Sequence, residues 1–302
     1  MDFAIIAAGE GSRLVQEGIT TPKPLITIQG QPLIERLIRI FLRNGATSIS
    51  VIVNEEMTEV QDFLQKIRLP VPFHLHVRTT PSSMHSFYEL SRYLRNDRFC
   101  LTTVDTIFRE EEFSGFVQAF QASEKIDGLM AVTDFVDDEK PLYVKTNKVM
   151  KILGFEDSQP ESQSYIPLPS SKGDKELLSS FGRGMGEKEQ LSPFGRGMWD
   201  KELLSPFGGG EGDVGIFVSG GIYCLKRTGI DVLEKAIAEG MSRMRNYQRR
   251  LVAEGLYLMA YPFAKIIDVD HAEDIGKAEG FLAQKDITTK EHKGISQRNT
   301  KD

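Results

Sequence analysis

At 302 residues, the chain is long enough to form one large α/β domain or two small ones. Its composition, 40% hydrophobic and 26% charged, is that of an ordinary globular protein. The net charge of −6 argues against a general nucleic-acid-binding protein, which would have a clustered basic excess. No apolar run reaches the length of a membrane span and no basic leader precedes the first strand, so we expect no membrane partner and a cytoplasmic location. Cys100 and Cys224 each lie in an apolar run and are predicted to be buried, unreactive thiols.

Strand and helix signals alternate through the first half of the chain, which favours a mostly parallel sheet. Apolar runs predict the strands, and apolar residues spaced three and four apart predict the helices. In chain order, the predicted strands are 3–8, 48–53, 73–77, 99–104 and 129–133, and the predicted helices are 33–44, 60–67, 84–95 and 110–122. Gly45 directly after the first of these helices is typical of a helix end.

The second half of the chain is less regular. It predicts a strand at 214–225 that is interrupted by Ser219-Gly220-Gly221, and then helices at 230–239 and 243–254. Strands at 256–261 and 265–269 are expected to pair with each other, and a last helix is predicted at 272–283.

A repeated unit interrupts the alternation between residues 157 and 213. Its phenylalanines, Phe181, Phe194 and Phe207, are thirteen residues apart and are followed by glycine-rich segments. Units this short and polar bury too little surface to offset chain entropy, so we predict a flexible low-complexity insertion; a partner-binding array built on the phenylalanines and Trp199 is the alternative. The sequence thus predicts a single domain formed by 1–156 and 214–284, with a disordered tail at 285–302.

The first predicted strand runs into a glycine-rich turn with the sequence Gly9-Glu10-Gly11-Ser12-Arg13. Two glycines allow backbone N–H groups to close around a negative charge. Arg13 and Lys23, which lies between two prolines, add positive charge to what is in outline a phosphate site. A dinucleotide fingerprint would need glycine where Leu14 stands, and a P-loop would need its lysine much closer than Lys23.

The glycine-rich turn with Leu14, followed by Thr21-Pro22-Lys23-Pro24-Leu25, resembles the signature of sugar-phosphate nucleotidyltransferases, or nucleoside-diphosphate-sugar pyrophosphorylases. The resemblance implies a Rossmann-like, three-layer αβα fold of the MobA-like and GT-A-like NTP transferase type, with a mostly parallel mixed sheet. It also implies an enzyme that joins a nucleoside triphosphate to a sugar phosphate, releases pyrophosphate and so supplies nucleotide sugars for glycan or polysaccharide synthesis.

The resemblance also assigns roles to individual residues. Arg13 and Lys23 would be the catalytic cations. The nucleotide would be bound by these two residues, by the loop after the third predicted strand and by the glycine-rich turn, that is by Ser82, Ser83, Ala7, Ala8, Gly9, Glu10, Gly11 and Ser12. His85, in the loop that carries the two serines, is expected to cap or pack, because an anionic phosphate nucleophile needs no general base.

Transfer of a nucleotide between two polyanions calls for charge neutralisation, and the resemblance implies a Mg²⁺ ion held by aspartates. Asp105, which follows the strand at 99–104, and Asp268 in a late Asp-Val-Asp segment are the expected ligands, with Asp270 as a third. Where the family commonly has glycine before the first aspartate, this chain has Val104. Asp270 could instead be the N-cap of the last helix.

The acceptor would contact Gly221, where a missing side chain lets a ring approach the backbone, and Glu156, which matches a family position that binds sugar hydroxyls. A plain β-bulge is the alternative for Gly221. A cytidylyltransferase acting on phosphocholine or another phosphorylated alcohol, and an inactive nucleotide-sugar sensor, stay open as alternative functions. A glycosyltransferase would need a second acid in Asp105-Thr106-Ile107. The particular triphosphate, the acceptor and the oligomeric state are not fixed by these motifs.

Overall fold

The structure, a computed structural model, describes residues 1–135, 140–159 and 217–284. The predicted repeats and the predicted tail at 285–302 therefore lie outside the described residues, as does the insertion at 157–213 apart from its first three residues. Within the described residues no helix is both long enough and apolar enough to cross a membrane.

Strands and helices follow one another along the described residues. The strands, in chain order, are β1 (Asp2–Ile6), β2 (Thr27–Ile28), β3 (Gln31–Pro32), β4 (Ser48–Val53), β5 (Phe73–Val77), β6 (Arg98–Thr103), β7 (Thr106–Ile107), β8 (Gly128–Thr133), β9 (Tyr143–Thr146), β10 (Ile152–Glu156), β11 (Phe217–Lys226), β12 (Leu258–Pro262) and β13 (Ile267–Asp268). The α-helices are α1 (Ser12–Gln16), α2 (Leu33–Arg43), α3 (Thr58–Lys66), α4 (Ser83–Ser91), α5 (Glu110–Ala122), α6 (Thr228–Ala238), α7 (Met244–Ala253) and α8 (Ala272–Ala283), and a 3₁₀ helix spans Lys23–Leu25.

The central sheet is mixed and mostly parallel on one side. Strands β6, β1, β4 and β5 are parallel neighbours in that order. The long strand β11 then runs antiparallel to β6 on one side and to β8 and β9 on the other. β12 adds to β8 in parallel, and β10 pairs with β9 as an antiparallel hairpin.

Helices cover both faces of this sheet, which confirms the predicted three-layer αβα fold. Alternation along β1 sends Phe3 and Ile5 to one face, where α2, α3, α5 and α8 pack, and Ala4 and Ile6 to the other, where α4, α6 and α7 pack. Both hydrophobic clusters are built from fully buried side chains. Cys100 and Cys224 are directly opposite each other in the β6–β11 ladder, buried and free, as expected.

The local signals in α2 explain why this helix forms and stops where it does. Its apolar residues fall on one face and are buried against the sheet. The chain leaves the helix through Gly45, whose φ of 73° is the left-handed conformation that glycine adopts without strain. The predicted stop at Gly45 is confirmed.

Three parts of the fold differ from expectation. The last two strands do not pair with each other: β12 joins β8 and β13 joins β7, because each finds a partner more than a hundred residues earlier in the chain. The first strand ends at Ile6, so Ala7 and Ala8 belong to the loop that follows. The hairpin β9–β10, whose Leu153 side chain is exposed, gives no clear apolar alternation in the sequence.

Candidate active site

The glycine-rich turn connects β1 to the short helix α1. Gly11 precedes α1 with φ of 63° and ψ of 34°, and the amide of Val15 donates to its carbonyl oxygen at 3.1 Å. A side chain at Gly11 would begin 3.5 Å from Cβ of Lys23, so glycine at this position allows both the left-handed turn and close packing on that lysine. The turn thereby sets the predicted loop residues beside the predicted cation.

Lys23 is at the centre of the site. It begins the 3₁₀ helix and is only 8% exposed. Its Nζ donates to Oδ2 of Asp105 at 2.8 Å and to Oδ1 of Asp270 at 2.6 Å. Burial acts to lower the pKa of Lys23, but the charges and hydrogen bonds of the two carboxylates outweigh it and raise the pKa above its ordinary value. The lysine therefore stays cationic at neutral pH.

Arg13, the second predicted cation, lies on α1 and joins the same group. Its Nη1 contacts Oδ2 of Asp270 at 3.2 Å, and both side chains are partly exposed. Asp270 thus accepts from both predicted cations, through different oxygens. An incoming polyanion can reach Arg13 from solvent more easily than it can reach Lys23.

A two-strand ladder brings the late aspartates to Asp105. β7 begins one residue after Asp105 and pairs antiparallel with β13, so that Asp268 is opposite Thr106. The amide of Val269 donates to the carbonyl oxygen of Asp105 at 3.1 Å. The three predicted metal ligands therefore meet at one edge of the sheet, beyond the carboxyl end of β6, where α/β enzymes commonly bind ligands.

Asp270 is not the N-cap of the last helix, so that alternative is wrong. The N-cap of α8 is His271, and Asp274 accepts from the backbone amide of His271 at 2.8 Å and from that of Asp270 at 3.1 Å. Asp274 accepts from these amides, whereas the carboxylate of Asp270 contacts Lys23 and Arg13.

The serines predicted to lie near the base open the helix α4. Ser82 is its N-cap and accepts from the amide of His85 at 3.4 Å, while its hydroxyl lies 2.9 Å from Nδ1 of the same histidine. The cap of this helix is therefore Ser82, and His85 contacts the cap through its side chain. Ser82 and Ser83 line a cleft of about 410 Å³ together with Asp105, Asp268 and Asp270.

Gly221 lines this same cleft, within an irregular part of β11. The pairing of β11 with β8 changes register between Ser219 and Tyr223, an irregularity of the kind that a β-bulge produces. Gly221 has φ of 71°, and a side chain there would face the hydroxyls of Thr103 and Thr106. Contact with an acceptor and a bulge are compatible, because a bulge re-aims the backbone beside a site.

The other predicted acceptor residue lies apart from this group. Glu156 is the last residue of β10 and is opposite Tyr143 in the hairpin. It lines neither the 410 Å³ cleft nor the adjoining one of about 630 Å³, which has Arg13, Asp268 and Asp270 in its wall. Its role with the acceptor stays a prediction.

The lining of the 410 Å³ cleft includes residues that motif analysis missed. Arg243, Arg245 and Gln248, at the start of α7, line it, as does Lys140. The run from Arg243 to Arg250 is visibly basic in the sequence, but a predicted helix with basic residues gives no indication of which ones face a cleft.

The donor chemistry at the aspartates fits a Mg²⁺ ion. Carboxylate oxygens are the ligands that Mg²⁺ prefers, and it commonly takes only one or two of them, with water and substrate phosphates supplying the rest. Among the described residues no three acidic, histidine or cysteine side chains are already gathered as a metal centre. Asp105, Asp268 and Asp270 line one cleft, so the residues fit a metal held by one or two carboxylates and completed by substrate.

Two curated proteins are similar to part of this sequence. The bifunctional protein GlmU of Thermodesulfovibrio yellowstonii is 26% identical over 181 residues, 55% of this chain and 38% of that protein. The 2-aminoethylphosphonate cytidylyltransferase of Lancefieldella rimae is 47% identical over 49 residues, 16% of this chain and 20% of that one. The chain therefore matches well under half the length of these two relatives.

Among solved structures, a putative glucose-1-phosphate thymidylyltransferase from Bacillus anthracis superposes with a TM-score of 0.64. The match covers 93% of this chain and 94% of that one at 16% identity, a level that shows the common fold alone. The MobA-like NTP transferase domain matches residues 3–162, more than half of the sequence and the part that holds the glycine-rich turn, Lys23 and Asp105. The chain belongs to the MobA-like NTP transferase domain family.

Proposed function

We propose that this protein is a nucleotidyltransferase that joins a nucleoside triphosphate to a sugar phosphate, with release of pyrophosphate and formation of a nucleoside-diphosphate sugar. The observation that carries the proposal is the convergence on Lys23 of Asp105 and Asp270, which come from distant parts of the chain. Two cations and three carboxylates beside a glycine-rich turn suit a reaction in which two polyanions and a divalent cation meet.

The proposed reaction is an in-line displacement. An oxygen of the acceptor phosphate bonds to the α-phosphorus, the bond from that phosphorus to the α–β bridging oxygen breaks, and the electron pair leaves with pyrophosphate. The nucleophile is already anionic, so no side chain has to remove a proton. The task of the protein is then to align the two substrates and to neutralise their charge.

Each group of the site has a part in this task. The turn from Ala7 to Arg13 would hold the triphosphate through backbone amides, and Arg13 would meet its exposed end. Lys23 would exchange its carboxylate partners for the oxygens around the α-phosphorus, where negative charge develops. Ser82 and Ser83 would face the nucleoside, because they line the same cleft as the aspartates.

Asp105 and Asp268, with Asp270 as a further candidate, would hold the Mg²⁺ ion. When bound, the ion neutralises phosphate oxygens at the reacting centre. Its arrival would also compensate these carboxylates once Lys23 turns to the substrate.

A second candidate is a cytidylyltransferase acting on a phosphorylated or phosphonylated alcohol or amine. It is favoured by the 47% identity, over 49 residues, to a protein named as a 2-aminoethylphosphonate cytidylyltransferase. The short match leaves the acceptor pocket to be decided by experiment. The cations and carboxylates of the site would have the same roles in either reaction.

Pyrophosphate release tests both candidates. The purified protein is incubated with Mg²⁺ and each of the five common nucleoside triphosphates, first with a mixture of sugar 1-phosphates and then with phosphocholine or 2-aminoethylphosphonate. Release that requires both a triphosphate and a sugar phosphate supports the first candidate. Release only with CTP and a non-sugar acceptor supports the second, and no acceptor-dependent release by a folded protein would overturn both.

A further inference from the structure

Gln248 on α7 has a buried side chain whose hydrogen bonding is incomplete. The residue is 3% exposed, and its amide nitrogen donates to the hydroxyl oxygen of Tyr223 at 2.5 Å. Its amide oxygen has no hydrogen-bond partner in the described part of the chain. Turning the amide over would only leave the nitrogen in that position instead. A buried polar atom without a partner costs about 1–3 kcal/mol, so folded proteins rarely keep one without a reason.

The unpaired amide belongs to the wall of the candidate active site. Gln248 lines the same 410 Å³ cleft as Asp105, Asp268 and Gly221. Tyr223, which orients the amide, follows Gly221 by two residues on β11. The side chain with the missing partner is therefore part of the wall that a molecule bound in this cleft would contact.

The neighbouring residues of α7 give this wall a positive charge. Arg243 and Arg245 line the cleft beside Gln248. Arg245 is tied to Asp157 at 2.6 Å, whereas Arg243 makes no ion pair with any residue that the structure describes. The lining of the cleft thus includes a guanidinium that can bind an anion and an amide that can bind an uncharged polar group.

We propose that Gln248 is a specificity-determining residue for the acceptor and that its unpaired amide atom binds a hydroxyl group of a phosphorylated polyol or sugar whose phosphate faces Arg243. The inference rests on the proposed nucleotidyl transfer. A hydroxyl suits the amide in either orientation, because it can donate to the oxygen or accept from the nitrogen.

The same wall disfavours an acceptor that ends in a trimethylammonium group, such as phosphocholine. That cation has no N–H to donate and is usually bound by several aromatic faces. Tyr223 is the only aromatic residue among the described residues that line the cleft, and its hydroxyl is engaged by Gln248. The site therefore selects a hydroxyl over a quaternary ammonium.

The first test is Gln248→Leu, which removes the amide while nearly keeping the volume. Glucose 1-phosphate, mannose 1-phosphate and N-acetylglucosamine 1-phosphate are the probes, with the best triphosphate. We expect the KM of the preferred sugar phosphate to rise by about 10–100-fold, the loss of one hydrogen bond in a site built for it, and the triphosphate KM to stay within about twofold. Gln118→Leu, at an exposed position on α5, is the matched control.

Monodeoxy analogues of the preferred acceptor then separate recognition from structure. With the wild type, the analogue that lacks the bound hydroxyl should react more slowly than the parent acceptor. With Gln248→Leu, the analogue and the parent should react at similar rates, because the variant no longer contacts that hydroxyl. Gln248→Glu keeps a hydrogen-bonding oxygen and should bind the acceptor more tightly than Gln248→Leu does. If Gln248→Leu does not fold, Gln248→Glu is the variant to measure. Equal acceptor KM values in wild type and variant, or a preference of the wild type for phosphocholine, would overturn the proposal.

Binding without turnover distinguishes this proposal from the proposed function. Isothermal titration of each sugar 1-phosphate is performed with wild type and Gln248→Leu in the presence of a non-reactive triphosphate analogue. If the wild type releases no pyrophosphate but binds a sugar phosphate that the variant does not, the proposed reaction fails and the role of Gln248 stands. If neither protein binds any of the three probes, the role of Gln248 is refuted.

Discussion

The two ends of the parallel strands both hold carboxylates in contact with donors, one at the amino end and two at the carboxyl end, but the donors differ. At the amino end, Asp2 is 2% exposed and accepts from the amides of Arg95 and Asn96 and from the hydroxyl of Ser48, all within 2.8 Å. At the carboxyl end, Asp105 and Asp270 share Lys23, and Arg13 contacts Asp270.

The difference in donors indicates at which end the charged side chains would exchange partners during the proposed reaction. Asp2 is satisfied by backbone and neutral groups that are fixed by the fold, so nothing is gained by releasing it. At the other end two cations contact carboxylates. Under the proposed function these cations would turn to the triphosphate, and the carboxylates would turn to the metal ion. We therefore expect Asp2 to support the fold and, under the proposed function, the carboxylates at the carboxyl end to support the reaction.

The largest effect is expected from a substitution of Lys23, the residue at the centre of the carboxyl-end group. Lys23→Ala should reduce pyrophosphate release by about 1,000-fold or more, roughly 4 kcal/mol in the barrier, because it removes the cation that we propose acts at the α-phosphorus. Circular dichroism should show an intact fold. Lys66→Ala, an exposed lysine on α3, is the control. Release by Lys23→Ala at the wild-type rate would refute the role of this lysine.

The amino-end group should respond in stability rather than in activity. Asp2→Ala leaves two backbone amides and Ser48 without their acceptor, so we expect the free energy of unfolding to fall by about 2–4 kcal/mol. Urea unfolding measures this loss, with exposed Asp62→Ala as the control. Turnover per folded molecule should be unchanged, and an equal loss of activity would contradict the division between the two ends.

The pH dependence of stability provides a second test of the role of Asp2. Burial acts to raise the pKa of Asp2, but hydrogen bonds from Asn96, Ser48 and Arg95 outweigh it and hold the pKa below its ordinary value of 3.8. The stabilisation by Asp2 is therefore complete at neutral pH and is lost as the pH falls below about 3.8 and through the lowered pKa. The stability difference between wild type and Asp2→Ala should shrink in that range and stay constant above it.

A smaller effect is expected at the metal ligands. Asp268→Asn should raise the Mg²⁺ concentration needed for half-maximal activity about tenfold, because an amide oxygen carries no charge for the ion. Mn²⁺ binding followed by electron paramagnetic resonance, with triphosphate present, gives a readout that does not depend on turnover. Exposed Asp231→Asn is the control, and an unchanged metal titration removes Asp268 from the set of ligands.

The smallest effect concerns His271, at the edge of the carboxyl-end group. A hydrogen bond to the carboxylate of Glu17 raises the pKa of His271 above 6.5, against the opposing effect of burial. The contribution of this pair is present below pH 6.5 and is lost as the pH rises through the raised pKa. Glu17→Gln should lower the pKa of the imidazole, as measured by NMR titration, and an unmoved pKa would contradict the contact.

Short-range signals predict much of this fold. The ranges of β4, β5, α5 and α8 follow directly from apolar runs and helical spacing, because each buries one side of a regular element. The pairing of strands could not be predicted in the same way. The joining of β12 to β8 and of β13 to β7 depends on tertiary packing between segments far apart in sequence, and no local pattern encodes it.

The candidate site divides in the same way. The turn at Gly11 and the cation at Lys23 could be predicted, because the backbone conformation and the charge that they need restrict the residue types in a short segment. That Asp270 would contact Lys23, while Asp274 and His271 cap the helix, follows from side-chain geometry that spacing alone leaves open. Gln248 was missed because a glutamine in a helix carries no signal until its burial and its partners are known.

The place of β11 in the sheet has a consequence for synthesis on the ribosome. This strand lies between β6 and β8, yet it emerges from the exit tunnel long after both of them. Until it arrives, the nascent chain has an open strand edge at β6, the kind of edge that pairs with other chains. We expect translation intermediates that stop before residue 217 to aggregate or to need a chaperone, whereas chains that extend beyond β11 close the edge.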